Sequence, residues 1–229
     1  MNRLGFSTIG ETASAVKNLR VLGVFTHLSS ADGDDATDRR ITEAQIKNFM
    51  EAELVVKNEK DVPFYAENSA ALIKYGRFFD GARIGIALYG VNPVPGDKTP
   101  LLPVMTFRAA VIAINTVKKG DFIGYSRGYR AKKDMRVAII STGYADGLPR
   151  ALSNKGMIFC NGQFLKIVGK VSMDSVAVDA GDAVVKIMDE VVVFGDEITV
   201  TDVANRADTL PYEILTGVSE RVKRVYKNP

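Results

Sequence analysis

The pattern of this chain changes once along its length, and the change restricts the folds that it can adopt. Before residue 91, apolar runs of strand length alternate with amphipathic stretches of helix length, which is typical of parallel βα units. A segment rich in proline and glycine follows over residues 91–97, and beyond it short β-like segments are separated by turn signals. We therefore predict an α/β domain over residues 1–97 and a mainly antiparallel β domain with small helices over residues 98–229.

The first domain supplies only part of a larger parallel architecture. Its predicted elements, in chain order, are a helix over residues 11–19, a strand over 20–27, a helix over 38–56, a strand over 63–66, a helix over 68–75 and a strand over 82–89. In the 38–56 helix, a buried face is predicted from the spacing of Ile41, Ile46, Phe49 and Met50. About three or four βα units are fewer than the eight that close a barrel, so the spacing is compatible with a section of a barrel or with an open sheet.

The second domain carries turn and cap signals. Asn161-Gly162 lies between two apolar runs and predicts a hairpin with a type I′ turn. Thr201-Asp202 is predicted to cap a short helix before Asn205, and Pro211 to open a last helix.

Charge and cysteine content restrict the partners and the compartment. The net charge is only +3 and no block of like charge occurs, which argues against nucleic acid or a membrane surface as the partner. An oligonucleotide-binding barrel built on Arg127, Arg130, Lys132, Lys133 and Arg136 would need interleaved aromatic residues, and the sequence lacks them.

A single cysteine, Cys160, forms no internal disulfide, and no apolar run has the length of a membrane span. We expect a cytoplasmic protein without membrane contact from this chain, although a longer parent protein could be tethered to a membrane.

Three short motifs in the second domain carry acid-base chemistry. Tyr125 lies in Gly-Tyr-Ser-Arg-Gly-Tyr, and Gly-Tyr-Ala-Asp-Gly (143–147) and Val-Ser-Met-Asp (171–174) follow it. A phenol titrates near ~10 in water, so a tyrosine that acts as a base needs cations or donors that stabilise its phenolate. We interpret the three motifs as the base-bearing half of an active site.

These motifs, together with several in the first domain, resemble those of the alanine racemase family. The further matches are Met1-Asn-Arg-Leu-Gly-Phe6, Thr26-His27, Glu67-Asn68-Ser69-Ala70, Arg83-Ile-Gly-Ile-Ala-Leu-Tyr-Gly90 and Tyr212-Glu213. The resemblance covers nearly all 229 residues and corresponds to the C-terminal portion of such an enzyme. Within the family, the sequence is most similar in its motifs to the serine/alanine racemases of vancomycin resistance and to Gram-positive alanine racemases.

The resemblance implies a fold, a cofactor and a reaction. It implies the C-terminal part of a (β/α)8 barrel plus a C-terminal antiparallel β domain, in a homodimer whose active sites combine both subunits. The cofactor is pyridoxal 5'-phosphate (PLP) and no metal is expected. The reaction is the interconversion of L- and D-alanine, with serine as a second substrate, which supplies D-amino acids for peptidoglycan.

The family's cofactor lysine is expected before Met1. We therefore expect the isolated chain to be inactive. The alternative is a non-catalytic dimerisation or binding module derived from the racemase fold.

The resemblance also assigns residues. Tyr125 is implied as one of two bases that flank the substrate α-carbon and as a residue donated to the partner subunit's cofactor. His27 is implied to stack on the pyridine ring and Arg83 to bond its nitrogen. Ser69 and the backbone at Gly85 and Ile86 are implied to hold the phosphate.

Four more residues are implied to border the substrate: Arg3, Met173, Asp174 and Tyr144. Two positions depart from the family pattern. Tyr65 stands where a histidine often lies beside the arginine, and Glu220 stands where a tyrosine lies near the phosphate and the substrate gate. A carboxylate near a phosphate is repelled, so we expect Glu220 either to turn away or to open the pocket, and a wider pocket would accommodate serine as well as alanine.

Overall fold

The computed structural model describes residues 20–57 and 61–227 and divides the chain into two compact units, Met1–Leu102 and Pro103–Pro229. An α/β unit therefore precedes a mainly β unit, as predicted. The predicted helix over residues 11–19 lies outside the described residues. In the described residues, no helix is long and apolar enough to cross a membrane.

The first unit contains a small parallel β arrangement. Strand β1 (Val24–Phe25) pairs in parallel with β2 (Phe64–Tyr65), and Tyr65 forms a further parallel bridge to Gly81. This confirms the parallel direction inferred from the βα alternation. Both strands are shorter than predicted.

The predicted strand over residues 82–89 is wrong. After one backbone bond from Arg83 N–H to Glu67 O (2.8 Å), the chain turns into a 3-10 helix at Ile86–Tyr89. Gly90, with a φ of 79°, ends that helix. The apolar run therefore forms a turn and a short 3-10 helix rather than a strand.

Helix α1 (Ala36–Lys57) agrees with its prediction within two residues at each end. The Asp35 carboxylate accepts a hydrogen bond from the Asp38 N–H and caps the first turn. The buried residues of α1 are Thr42, Ile46, Phe49 and Ala52. The prediction that Ile41 and Met50 are buried is wrong, because at 100° per residue they fall on the two flanks of this stripe, and each is 37% exposed.

The core of the first unit is built around three aromatic rings. Phe49 of α1 packs on Phe64 of β2 and on Phe79, with ring centroids 5.2 Å and 4.9 Å apart. Helix α2 (Ser69–Tyr75), predicted from residue 68, adds the buried residues Ala70 and Ala71. These contacts place α2 close to the loop that follows β2.

Glu67 is a fully buried carboxylate in this core, at 0% exposure. Its Oε1 accepts hydrogen bonds from the backbone N–H groups of Phe78 and Phe79. We expect Glu67→Ala to lower the free energy of unfolding by about 3 kcal/mol, because two amides lose their acceptor in the core. Glu67→Gln keeps an acceptor oxygen and should lose less than half as much. Urea denaturation followed by circular dichroism measures both, and equal losses would contradict this account.

The second unit contains a six-stranded antiparallel sheet. Its strands are β3 (Phe107–Val117), β6 (Met135–Ile140), β7 (Met157–Cys160), β8 (Gln163–Lys166), β9 (Val176–Asp179) and β10 (Glu190–Phe194). Their order in the sheet is β8-β7-β10-β3-β6-β9. A separate hairpin pairs β4 (Phe122–Ile123) with β5 (Tyr129–Arg130). The predicted antiparallel β domain is confirmed.

The turn between β7 and β8 follows the Asn-Gly signal. Asn161 and Gly162 have φ values of 47° and 82°, the two left-handed positions of a type I′ turn, and Cys160 pairs with Gln163 across it. Cys160 is buried and free, and burial raises the pKa of its thiol. It is therefore a packing residue rather than a nucleophile.

Two short helices end the second unit. Helix α3 (Val200–Ala207) is capped by Thr199, whose hydroxyl accepts from Asp202 N–H (3.0 Å) while the Asp202 carboxylate accepts from Thr199. The prediction of Thr201 as the cap is therefore wrong, because the cap lies two residues earlier, although Asp202 does take part. Helix α4 (Pro211–Gly217) begins at Pro211, as predicted.

Candidate active site

Arg83 and His27 lie together in the first unit. Arg83 Nη2 donates to the Thr26 carbonyl (2.8 Å) and to His27 Nδ1 (3.3 Å), and its guanidinium lies over the Phe25 ring at 4.6 Å. Because a guanidinium can only donate, Nδ1 of His27 is the acceptor in this contact. Two residues that are 56 positions apart in the sequence thus form one polar pair.

Arg83 and His27 are both exposed. Arg83 does not lie in a strand, since the strand predicted over residues 82–89 does not form. The exposed pair presents two kinds of recognition group at one place: a flat imidazole and a fixed cationic donor. Such a pair suits a planar heteroaromatic ring with an acceptor nitrogen.

Ser69 organises the nearby turn. Its hydroxyl oxygen, on a residue only 4% exposed, accepts from the N–H groups of Gly85 (3.0 Å) and Ala87 (3.3 Å). The N-cap of α2 is Asn68, whose side chain accepts from Ala71 N–H (2.9 Å). Since Asn68 fills the capping role, the Ser69 hydroxyl is available to the turn.

The turn at Ser69 has the donor chemistry of an anion cradle. The amides of Gly85 and Ala87 donate to the Ser69 oxygen, which keeps its own proton to donate to a ligand, and a Cβ at Gly85 would meet nothing within 4 Å. Hydroxyl and amide donors with open space beside them fit a phosphate dianion. The residues present are therefore compatible with the phosphate and the ring of PLP.

Tyr65 fills the space between two neighbouring segments. A Cβ added at Gly23 or Gly81 would lie 2.9 Å or 2.7 Å from its ring. Only glycine therefore leaves room for this ring on both sides. Arg83 takes its partners from Thr26 and His27 instead.

In the second unit, Tyr125 lies at the tip of the β4–β5 hairpin and is 72% exposed. The strands of the hairpin are anchored next to the turn, since Ile123 is buried and Tyr129 packs on the same cluster. Arg127 and Arg130 lie over the Phe122 ring at 5.4 Å and 5.8 Å. These arginines thus stack on Phe122, and the phenol points away from the unit that carries it.

The other two motifs lie against each other. Tyr144 N–H donates to the Ser172 carbonyl (3.0 Å) and Ala145 N–H to the Met173 carbonyl (2.9 Å). A Cβ at Gly143 would lie 2.3 Å from Ser172 O, so the contact requires glycine. Tyr144, Met173 and Asp174 are exposed, which leaves their side chains free to contact a ligand.

Asp146 is a site-building residue that the sequence analysis missed. Its carboxylate accepts from Gly143 N–H (2.8 Å) and pairs with Arg221 (2.9 Å), and its carbonyl accepts from Ser219 N–H (3.3 Å). Its sequence signal is an aspartate in a turn that contains glycine, a combination that many loops share. Glu220, which lies between Ser219 and Arg221 in the sequence, is exposed.

Arg3 lies outside the described residues. The other predicted site residues fall into two groups, His27, Ser69, Arg83, Gly85 and Ile86 in the first unit and Tyr125, Tyr144, Met173 and Asp174 in the second. No group of three or more metal-binding side chains occurs within residues 20–57 and 61–227.

Comparison with protein families gives two matches. The family model described as alanine racemase, C-terminal domain, matches residues 104–226, and the one described as alanine racemase, N-terminal domain, matches residues 1–93. Among curated proteins, the alanine racemase of Halothermothrix orenii is 36% identical over 94% of this chain and 59% of its own length. The alanine racemase of Aquifex aeolicus is 34% identical over 98% of this chain and 63% of its own length.

Solved structures give the same result. The alanine racemase of Streptomyces coelicolor superposes with a TM-score of 0.89 at 30% identity, covering 99% of this chain and 62% of that one. The alanine racemase of Bartonella henselae, with covalently bound pyridoxal phosphate, has a TM-score of 0.85 at 30% identity, with the same two coverages. The chain thus spans 59% and 63% of the length of the two curated relatives.

Proposed function

Because the chain belongs to the alanine racemase family, we propose that it is the C-terminal section of a PLP-dependent racemase that interconverts L- and D-alanine. The observation that carries the proposal is that two backbone bonds, from Tyr144 N–H to Ser172 and from Ala145 N–H to Met173, hold two of the racemase motifs against each other. Residues 1–97 would belong to the barrel and residues 98–229 to the β domain.

The exposed Tyr125 suits a base that acts outside its own unit. Racemisation removes the α-proton from one face of the substrate and returns a proton to the other, so two groups must flank the α-carbon. Tyr125 would be one of them, acting on the cofactor of the partner subunit in a homodimer. Since Arg127 and Arg130 stack on Phe122, the groups that stabilise the phenolate have to come from outside this hairpin.

The first unit would hold the cofactor without covalent chemistry of its own. Ser69, Gly85 and Ile86 would bind the phosphate, His27 would lie on the ring, and Arg83 would donate to the ring nitrogen. PLP, when bound, withdraws electrons from the substrate and so acidifies its α-hydrogen. Arg83 cannot give up its proton, so it leaves the ring nitrogen unprotonated, which moderates that withdrawal and favours proton return over side reactions.

We place the cofactor lysine in a segment that this 229-residue sequence does not contain. A lysine that attacks an aldehyde must be neutral, which requires a lowered pKa. The pKa of Lys57 is raised, not lowered, mainly by its hydrogen bond to Glu53 and secondly by its hydrogen bond to Asp80. Lys74 is held by the Gly33 carbonyl and by Asp34.

Turnover tests the proposal. The chain is combined with a separately produced N-terminal barrel segment of a curated relative and PLP, and D-alanine formed from L-alanine is measured with a D-amino-acid oxidase assay. We expect turnover of alanine and also of serine, because a pocket opened at Glu220 would accommodate the larger side chain. Alanine turnover without serine turnover would overturn the serine assignment. A stable, PLP-binding assembly with no turnover would favour a non-catalytic module.

A further inference from the structure

We propose that Asn154 is a positioning residue that fixes the Tyr125 hairpin relative to the loop that carries Met173 and Asp174. The inference rests on the proposed role of Tyr125. It concerns a residue in the loop between β6 and β7, outside all three motifs that carry the chemistry.

The Asn154 side chain bonds both elements at once. Its Nδ2 donates to the carbonyl of Gly128 in the hairpin (2.9 Å), and its Oδ1 accepts from the N–H of Gly169 (2.7 Å). Both bonds are partly buried, which shields them from competition with water. A side-chain amide carries its donor and its acceptor on one carbon atom, an arrangement that suits this double contact.

Ser153 strengthens the same connection. Its hydroxyl accepts from Val171 N–H (3.1 Å) and donates to the Arg150 carbonyl. Val171 directly precedes the Ser-Met-Asp sequence of the loop. Ser153 and Asn154 together therefore hold the start of that loop at two points.

The hairpin tip and the Gly169-Lys170 segment are in direct backbone contact. A Cβ at Gly124 or Gly128 would lie 3.1 Å from Lys170 N, and a Cβ at Gly169 would lie 3.0 Å from Ile123 O. Because the three glycines allow this approach, a shift of one segment displaces the other.

Tyr125 depends on this backbone for its position. It is largely exposed, and the two residues after it, Ser126 and Arg127, have left-handed φ values of 54° and 55°. Among residues 20–57 and 61–227, Asn154 provides the one side-chain hydrogen bond to the backbone of residues 124–128. Loss of the Asn154 amide should therefore loosen the hairpin tip.

Three variants test the proposal in the assembled enzyme. Asn154→Gly removes both bonds but tolerates the left-handed backbone of this position (φ 60°). Asn154→Asp keeps the acceptor for Gly169 N–H and loses the donor to Gly128. Asn161→Gly is the matched control, since Asn161 also has a positive φ and two side-chain bonds, in the β7–β8 turn.

Residue-resolved hydrogen exchange gives the first readout. In Asn154→Gly we expect about tenfold faster exchange of the Gly169 amide and of the hairpin amides. In Asn154→Asp only the hairpin should exchange faster. Asn161→Gly should change neither. Unchanged hairpin exchange in Asn154→Gly would overturn the proposal, whether or not the wild-type assembly racemises alanine.

Steady-state kinetics gives the second readout. Asn154→Asp should lower kcat about tenfold with little change in KM, because the base is displaced while the loop is retained. Asn154→Gly should lower kcat and raise KM. Equal kinetics for Asn154→Gly and Asn161→Gly would overturn the positioning role. An inactive wild-type assembly would refute the proposed function. In that case hydrogen exchange alone would show whether Asn154 holds the hairpin against the loop.

Discussion

Tyr125→Phe is expected to lower alanine racemisation by about 10²- to 10⁴-fold, because the variant keeps the ring but has no group that can exchange a proton. The loss should appear in kcat, since the variant keeps the aromatic ring and loses only the group that acts in the proton transfer. Initial rates with L-alanine and with D-alanine, in the assembled enzyme, measure the effect.

The Tyr125→Phe variant also separates the two faces of the reaction. The opposite base is intact, so exchange of the α-hydrogen with solvent deuterium should persist for one enantiomer and disappear for the other. Tyr129→Phe, in the same hairpin, is the control and should retain wild-type rates. If both enantiomers still exchange in Tyr125→Phe, Tyr125 is not one of the two bases.

Arg83→Glu is expected to lower racemisation by about 10²-fold or more and to increase side reactions that consume the cofactor. A carboxylate in this place can share a proton with the ring nitrogen, whereas the guanidinium cannot give one up. It also removes the bonds from Arg83 to Thr26 and His27. Racemisation and the formation of pyridoxamine phosphate are measured in the same reaction.

Arg40→Glu makes the same charge reversal at an exposed position of helix α1 and is the control for Arg83→Glu. It should leave the rate and the side reaction unchanged. An Arg83→Glu variant that racemises alanine at the wild-type rate would remove Arg83 from the cofactor site.

Elements with local signals could be predicted from the sequence. The Asn161-Gly162 turn needs two left-handed residues, and the sequence supplies the dipeptide that adopts them most readily. Helix α1 has a long amphipathic pattern, so its existence and its bounds were predicted well. The prediction that Ile41 and Met50 are buried was wrong, because the width of the buried stripe depends on what packs against the helix.

The turn at residues 86–89 could not be predicted, because its cause lies elsewhere in the sequence. The segment reads as an apolar strand, but its amides are bound by the hydroxyl of Ser69, 16 and 18 positions earlier. A periodicity argument considers only neighbours in the chain and cannot detect this contact.

The candidate site residues are recognised by their motifs, whereas the residues that hold those motifs in place are not. Tyr144 and Met173 lie in recognisable short sequences, whereas Asp146 and Asn154 act through hydrogen bonds to backbone groups. Asparagine and aspartate are common in every loop, so residue type alone does not distinguish a supporting role from an ordinary turn.

Mixing two inactive variants tests the central claim that each active site combines Tyr125 of one subunit with Arg83 of the other. Equal amounts of assembled Tyr125→Phe and Arg83→Glu enzymes are dissociated, mixed and allowed to reassemble, and racemisation of L-alanine is measured. Half of the dimers should be mixed, and each mixed dimer should have one intact site of two, so about a quarter of the wild-type activity should return. A mixture as inactive as its two components would contradict the claim.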